Sequence, residues 1–551
     1  MKYILLLVMT VVLWSAGSFA QAGKTRFTHL DTLFGSNTPQ RSWWDVQRYD
    51  VTVKLDYASK TIAGRTTITY TVLDDVTNSL LQIDLKQPLV IDSLYYNGKA
   101  LDHPAQPYHN EGGHWFIPVP QATKGTQQAL TVAYHGKPKE AVNAPWDGGW
   151  VWEKDSQGRP WISVACEDDG ASLWYPCKDL WSDEPDKGAS LTIIVPHDLV
   201  AIGNGRLTEK TVANGLSSYT WEVTAPINAY NIIPYIGHYV NWSDTLQGQK
   251  GKLDLNYWVL DYNLPKAKKQ FEQVKPMLRA FEHWFGSYPF YEDGYKLVEA
   301  PYLGMEHQSN VAYGNQFKNG YLGQDLSGTG WGEKWDYIIV HESGHEWFGN
   351  NITAKDIADM WVHEGFTDYS EPLFIDYYYG TEAGNEYTQG LRSRIANDRP
   401  IIGTYNVHQG GSGDMYFKGA NLIHTVRQII NDDEKFRQIL RGLNKTFYHQ
   451  TVTSAQVENY ISTQSGRDFS KVFDQYLRTT KIPVLEYKQA GAIVQYRWTN
   501  TVAGFAMPVK LKDGKWLTPT SSWQTVKMAT NERFAVDPNF YIRVKAIYTN
   551  Y

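Results

Sequence analysis

Cysteine is nearly absent: Cys166 and Cys177 are the two in 551 residues. That excludes a disulfide framework and a cysteine-rich metal centre as the basis of the fold. In an exported chain the two would either pair or stay as free buried thiols, and their spacing does not choose. Charge of one sign is also lacking. The 52 Lys and Arg face 58 Asp and Glu, a net charge of −6 without blocks, so the electrostatic footprint of a nucleic-acid-binding protein is missing. Beyond the N-terminal stretch no run is long and apolar enough to span a bilayer. Neither an internal repeat nor a low-complexity tract stands out.

What is present is length, aromatic surface and an address. A chain of 551 residues is too long for one core and predicts several domains. The 21 Trp and 37 Tyr fit extended β surfaces and a groove lined for peptide or sugar. Lys2, the apolar stretch from Tyr3 to Trp14, and Ser18-Phe19-Ala20 read as a signal peptide over residues 1–20, cleaved after Ala20. The expected destination is the periplasm or the cell exterior. No cysteine near the cleavage site suggests a lipoprotein.

Taken in order, residues 21 to about 45 read as an irregular leader within an N-terminal β domain spanning 21–245. Val51, Val53 and Leu55 alternate with polar residues. So do Ile68, Tyr70 and Val72, after a turn placed near Ala63-Gly64. From 246 to 481 the period becomes helical: Leu264 to Phe285, a helix from near Glu333 through His341, another over Val362 to Tyr379, and further helices over Tyr387–Asn397, Lys418–Ile430, Glu434–Thr446, Ala455–Gly466 and Ser470–Arg478. Residues 482–551 return to alternation as a small β module, with strands at Ile493–Trp498 and Tyr541–Ala546.

The chemistry concentrates in His341-Glu342-Ser343-Gly344-His345, followed after eighteen residues by Glu364. Histidines at i and i+4 share one helix face and reach one ion. Glu342 lies at the edge of that face, near the metal without being forced to bind it, as a general base requires. Glu364 supplies a third ligand. Two histidines and one carboxylate leave a fourth position open, which distinguishes a catalytic zinc from a structural one. Glu371 and Asp368, on the same helix as Glu364, are candidate acceptors for the ligands' ring N–H groups. The bland reading is a histidine pair on a polar helix face. The apolar lead-in Tyr337-Ile338-Ile339-Val340 and the spacing to Glu364 weigh against it.

With those pieces in place, the sequence resembles the aminopeptidase N family of zinc metallopeptidases, which also holds leukotriene hydrolase. Four stretches carry the resemblance. The zinc signature spans His341 to Glu364. Gly304-Met305-Glu306-His307 resembles the family's Gly-x-Met-Glu-Asn, whose glutamate binds the substrate α-amino group, with His307 as a departure. Tyr416, before Phe417-Lys418-Gly419-Ala420, matches the tyrosine that stabilises the oxyanion, with Phe417 replacing the usual glutamate. Glu167, ahead of Pro176-Cys177, matches the loop that gives a second group to the amine. His363 replaces the usual asparagine before the third ligand. The resemblance implies a multidomain α+β chain: a β saddle domain, a thermolysin-like, mainly helical catalytic domain and a β-sandwich module, without the large C-terminal helical domain of many members. It implies one zinc ion per chain and peptide substrates with a free N-terminus. The rival readings are an endopeptidase or lipid epoxide hydrolase of the same fold, a metal-free scaffold, and a carbohydrate-binding role for the aromatic β surfaces. The sequence leaves the oligomeric state open.

Overall fold

A computed structural model describes residues 26–77, 79–101, 108–529 and 532–547. The signal-peptide expectation for residues 1–20 lies outside them. Val51, Val53 and Leu55 are buried on the strand Trp44–Asp56. That strand and Thr61–Val72 form the centre of an eight-stranded sheet. One pairing in it is parallel, between Trp44–Asp56 and Ala189–Pro196; the rest are antiparallel. The turn between the central strands falls at residues 57–60, not at Ala63-Gly64. Gly64 lies within a strand. A Cβ there would come within 2.5 Å of the Tyr134 ring and 2.8 Å of the Thr52 carbonyl oxygen, so the glycine marks a close approach and not a bend.

The leader is more ordered than expected. Residues His29–Gly35 form a helix with a Thr28/Asp31 capping box. Arg41 is fully buried and ties this segment down: its guanidinium donates to the carbonyls of Phe34 and Ser36 and pairs with Asp84. A four-stranded sheet, in the order Val200–Ile202, Tyr235–Gly237, Pro160–Ala165, Gly149–Lys154, carries the loop that begins at Cys166. Cys166 and Cys177 are both buried and unpaired.

Next comes a five-stranded sheet whose edge strand is Gly304–Met305, antiparallel to Val311–Tyr313. The helix expected from Leu264 to Phe285 is two helices, Leu264–Gln270 and Val274–Phe285, joined by a tighter turn at Phe271–Gln273 and closed by Gly286 at φ 98°. The His341 helix starts at Tyr337, later than expected, because Asp336 caps it by accepting from the N–H groups of Ile338 and Ile339. The helix expected at Tyr387–Asn397 runs over Thr381–Leu391. Gly380, at φ 93°, ends the preceding helix Trp361–Tyr379, and the next begins at once. Helices Phe417–Ile430, Asp433–Thr446, Ser454–Ser465 and Ser470–Leu477 follow. After Leu477 the described residues form strands: a four-stranded sheet containing Val484–Ala490, Ile493–Thr499, Gln524–Lys527 and Arg543–Ala546, and a two-stranded pair.

Two apolar cores result. One fills the N-terminal β region. The other runs from the helices into the last strands, with Phe473 and Ile423 in the same cluster as Leu485, Val494 and Trp498. No helix of the described residues is long and apolar enough to cross a membrane.

Candidate active site

His341 and His345 project from the end of the helix Tyr337–Gly344, and Glu364 from the first turn of Trp361–Tyr379. All three are buried. Glu364 Oε2 stands 3.4 Å from His345 Nε2 and 3.7 Å from His341 Nε2. This oxygen is buried and has no hydrogen-bond partner. Two ligands at about 2.0–2.1 Å from one tetrahedral ion stand about 3.3–3.4 Å apart. The donor set therefore fits zinc in its spacing and in its chemistry.

The tautomers agree. His345 Nδ1 donates to the Phe348 carbonyl at 3.0 Å, and His341 Nδ1 bonds Glu371 Oε1 at 2.8 Å, which turns both Nε2 atoms toward Glu364. Phe348 and Gly349 leave helical geometry just after His345, and that distortion brings the Phe348 carbonyl round to the ring. Tyr387 donates to the other Glu371 oxygen at 2.8 Å. Asp368 does not share this role. It is fully buried, but neither of its oxygens has a hydrogen-bond partner. Burial lowers the affinity of His341 for its proton, yet the carboxylates of Glu364 and Glu371 outweigh burial and hold its pKa well above the ordinary value. For Glu364, burial pushes upward while the two imidazoles pull its pKa far below the carboxylate range.

Glu342 lies against the edge strand. A Cβ on Gly304 would fall 2.6 Å from Glu342 Oε1, so only glycine lets the strand and this carboxylate approach. Burial raises Glu342 to about 7, with the two histidines pulling the other way. A carboxylate tuned there can take up and release a proton near neutrality.

Glu306 follows the edge strand directly and is buried. Its Oε1 accepts from the Tyr230 hydroxyl at 2.9 Å. Glu167 is brought beside it: burial, then the charges of Glu306 and Glu364, hold Glu167 well above the ordinary carboxylate pKa. Two carboxyl groups side by side next to the metal donors form a seat for a cation. Tyr416 donates to Glu364 Oε1 at 3.0 Å, with its ring stacked 6.2 Å from that of His341. His307 is buried behind Glu306, its Nδ1 2.5 Å from the Tyr235 hydroxyl.

All seven site residues read from the sequence thus meet in one place. Sequence reasoning missed Tyr230 and Asn350. The Asn350 amide donates to the Glu306 carbonyl at 2.7 Å, and the Asn231 amide donates to Asn350 Oδ1 at 2.8 Å. No local pattern distinguishes these residues; they are defined by contacts across the chain.

Comparisons with known proteins agree with this geometry. Residues 269–476 match the peptidase family M1 domain, and residues 46–231 match the peptidase M1 N-terminal domain. Leukotriene A-4 hydrolase of Xenopus laevis is 23% identical over 441 residues, covering 76% of this chain and 68% of that protein. Aminopeptidase M1-B of Oryza sativa subsp. japonica is 23% identical over 389 residues, covering 67% of this chain and 42% of that protein. The chain thus spans about two thirds of the first relative and less than half of the second. Among solved structures, a mutant M1 zinc metallopeptidase from Deinococcus radiodurans, bound to a Tyr-Ser-Ala substrate, superposes with a TM-score of 0.66 at 21% identity, over 80% of this chain and 96% of that one. The shared fold, and the two domains that match over more than half its length, make this chain a member of peptidase family M1.

Proposed function

We propose that this protein is a zinc-dependent aminopeptidase that removes single residues from the N-termini of peptides. The observation that carries the reading is the carboxylate of Glu306, buried beside Glu167 and next to a three-donor metal set. A free ammonium satisfies that seat, whereas a blocked N-terminus or an internal peptide bond leaves buried charge without a partner.

His341, His345 and Glu364 would hold the ion. When bound, zinc supplies a Lewis acid that acidifies water and polarises a carbonyl. The protein's own groups do the rest. Glu306 and Glu167 hold the ammonium and thereby set the first peptide bond against Glu342. Glu342 takes a proton from the attacking water at its carboxylate and hands it to the leaving amine. The Tyr416 hydroxyl donates to the oxyanion that develops on the scissile carbonyl. Glu371 and the Phe348 carbonyl keep the two imidazoles turned toward the ion. Residues 1–20 read as a signal peptide, and that reading supports export to the periplasm or the cell exterior.

The test is hydrolysis of unblocked aminoacyl fluorogenic substrates beside their N-acetylated twins, with and without a zinc chelator. Cleavage confined to the free-amine set, lost on chelation and restored by zinc, is expected. Cleavage of the blocked set would move the assignment to an endopeptidase.

A further inference from the structure

We infer that Trp181 and His363 act together as a positioning element, a stacked pair of rings that fixes the amine seat at Glu306 relative to the metal ligand Glu364. The inference rests on the aminopeptidase reading for its substrate limb and on the donor geometry alone for its metal limb.

Both residues are buried, Trp181 at 3% exposure and His363 at 0%. Their ring centroids lie 5.2 Å apart and their planes differ by 2°. Trp181 also stacks on Tyr230, at 5.4 Å and 28°. Tyr230 in turn donates to Glu306 Oε1. At the other end His363 immediately precedes Glu364, and its Nε2 accepts from the Ala354 N–H at 2.7 Å. A ring nitrogen that accepts from a backbone N–H carries no proton, so the imidazole is neutral and stacks without burying a charge. A Cβ on Gly349 would lie 3.1 Å from His345 Nδ1 and 3.6 Å from His363 Cγ, so the same backbone turn packs against a metal ligand and this ring.

The stack crosses from the N-terminal β region to the catalytic helices. Trp181 belongs to the apolar core of the N-terminal β region, and close by in the chain the Lys178 ammonium pairs with Asp183 and donates to the Trp44 carbonyl at 2.6 Å. Aromatic rings have few rotamers and close-packed faces, so a column of three passes position from one end to the other with little slack. The reaction needs the ammonium and the scissile carbonyl placed to within a fraction of an ångström of each other. The Trp181 indole N–H has no hydrogen-bond partner among the described residues, so the ring acts through its face and not through its polar atom.

The experiment uses the full chain with Trp181→Ala, Trp181→Phe, His363→Asn and the double variant Trp181→Ala/His363→Asn. KM and kcat on an unblocked aminoacyl substrate are measured, together with zinc affinity by competition with a chelator. Trp181→Ala and His363→Asn are each expected to raise KM and to weaken zinc binding, both by about tenfold. Trp181→Phe should recover most of both losses, and the double variant should be little worse than the poorer single one. A Trp181→Ala variant that changes one quantity alone, or a double variant whose losses multiply, would overturn the inference. If Trp181→Ala does not fold, His363→Asn decides the matter: it touches no part of the amine seat, yet it must raise KM. A wild-type protein inert on every unblocked substrate would sink the aminopeptidase reading instead, and zinc affinity across the four variants would then judge the stack.

Discussion

The Tyr416 hydroxyl donates to Glu364 Oε1, so the residue suited to meet an oxyanion rests on the third metal ligand. The bond keeps Tyr416 a hydroxyl donor: burial, together with the adjacent carboxylate, raises its pKa well above that of an ordinary tyrosine. A short swing of the ring would exchange one negatively charged acceptor for another. Tyr416→Phe is therefore expected to lower kcat by about a hundredfold or more and to leave KM within a fewfold. Steady-state kinetics checks this, and an unchanged kcat would remove Tyr416 from the mechanism.

Glu342 touches the edge strand and is not one of the three metal donors. Glu342→Gln should retain zinc at the wild-type stoichiometry and lose about 10²–10⁴ in kcat. Metal analysis beside turnover separates the two; full activity in this variant would end the general-base assignment.

Removing the amine seat should cost discrimination before chemistry. Glu306→Ala is expected to raise KM for free-amine substrates by at least about tenfold and to narrow the gap to their acetylated twins. Glu167→Gln should produce a smaller change in the same direction, because Tyr230 still holds Glu306. A wild-type ratio of blocked to unblocked cleavage in both variants would show that the ammonium binds elsewhere.

Glu371 bridges His341 and Tyr387. Glu371→Gln weakens its acceptance from His341 and is expected to reduce zinc affinity by about 10–100-fold. A chelator titration measures it. Asp368→Asn, at a carboxyl that bonds no ligand ring, should leave zinc affinity much closer to wild type.

The leader makes an acid-stability prediction. Burial alone would raise Asp84, but the Arg41 guanidinium, then His114 and the Asp179 N–H, lower it from 3.8 to about 2. A depressed folded-state pKa contributes stability that is fully present above pH 3.8 and is lost as pH falls toward 2, about 2 kcal/mol in all. Arg41→Met would strand a buried carboxylate and should destabilise the protein by about 3–5 kcal/mol at neutral pH. It should also reduce this acid sensitivity, since only His114 and the Asp179 N–H would then favour the charged form of Asp84 against burial. Thermal melts at several pH values would detect both effects, and a variant that melts like wild type throughout would refute them.

The metal ligands were legible in the sequence because helical period alone brings His341 and His345 to one face, and the step to Glu364 is short. Glu306, Glu167 and Tyr416 were legible only through resemblance; nothing local separates Tyr416 from the other 36 tyrosines. Alternation was enough to find the main strands. It misplaced the turn at Ala63-Gly64, because a glycine needed for close approach to Tyr134 looks the same in one dimension as a glycine needed for a bend. It also missed the leader helix, whose order depends on a buried ion pair between Arg41 and Asp84, distant in the chain. The sequence by itself determined which donors could hold a metal, since that follows from covalent spacing along a helix. Only the tertiary structure decided that Glu371 and not Asp368 orients His341, that Tyr230 supports Glu306, and that Trp181 stacks on His363, because each of these contacts joins elements that packing, not chain proximity, brings together.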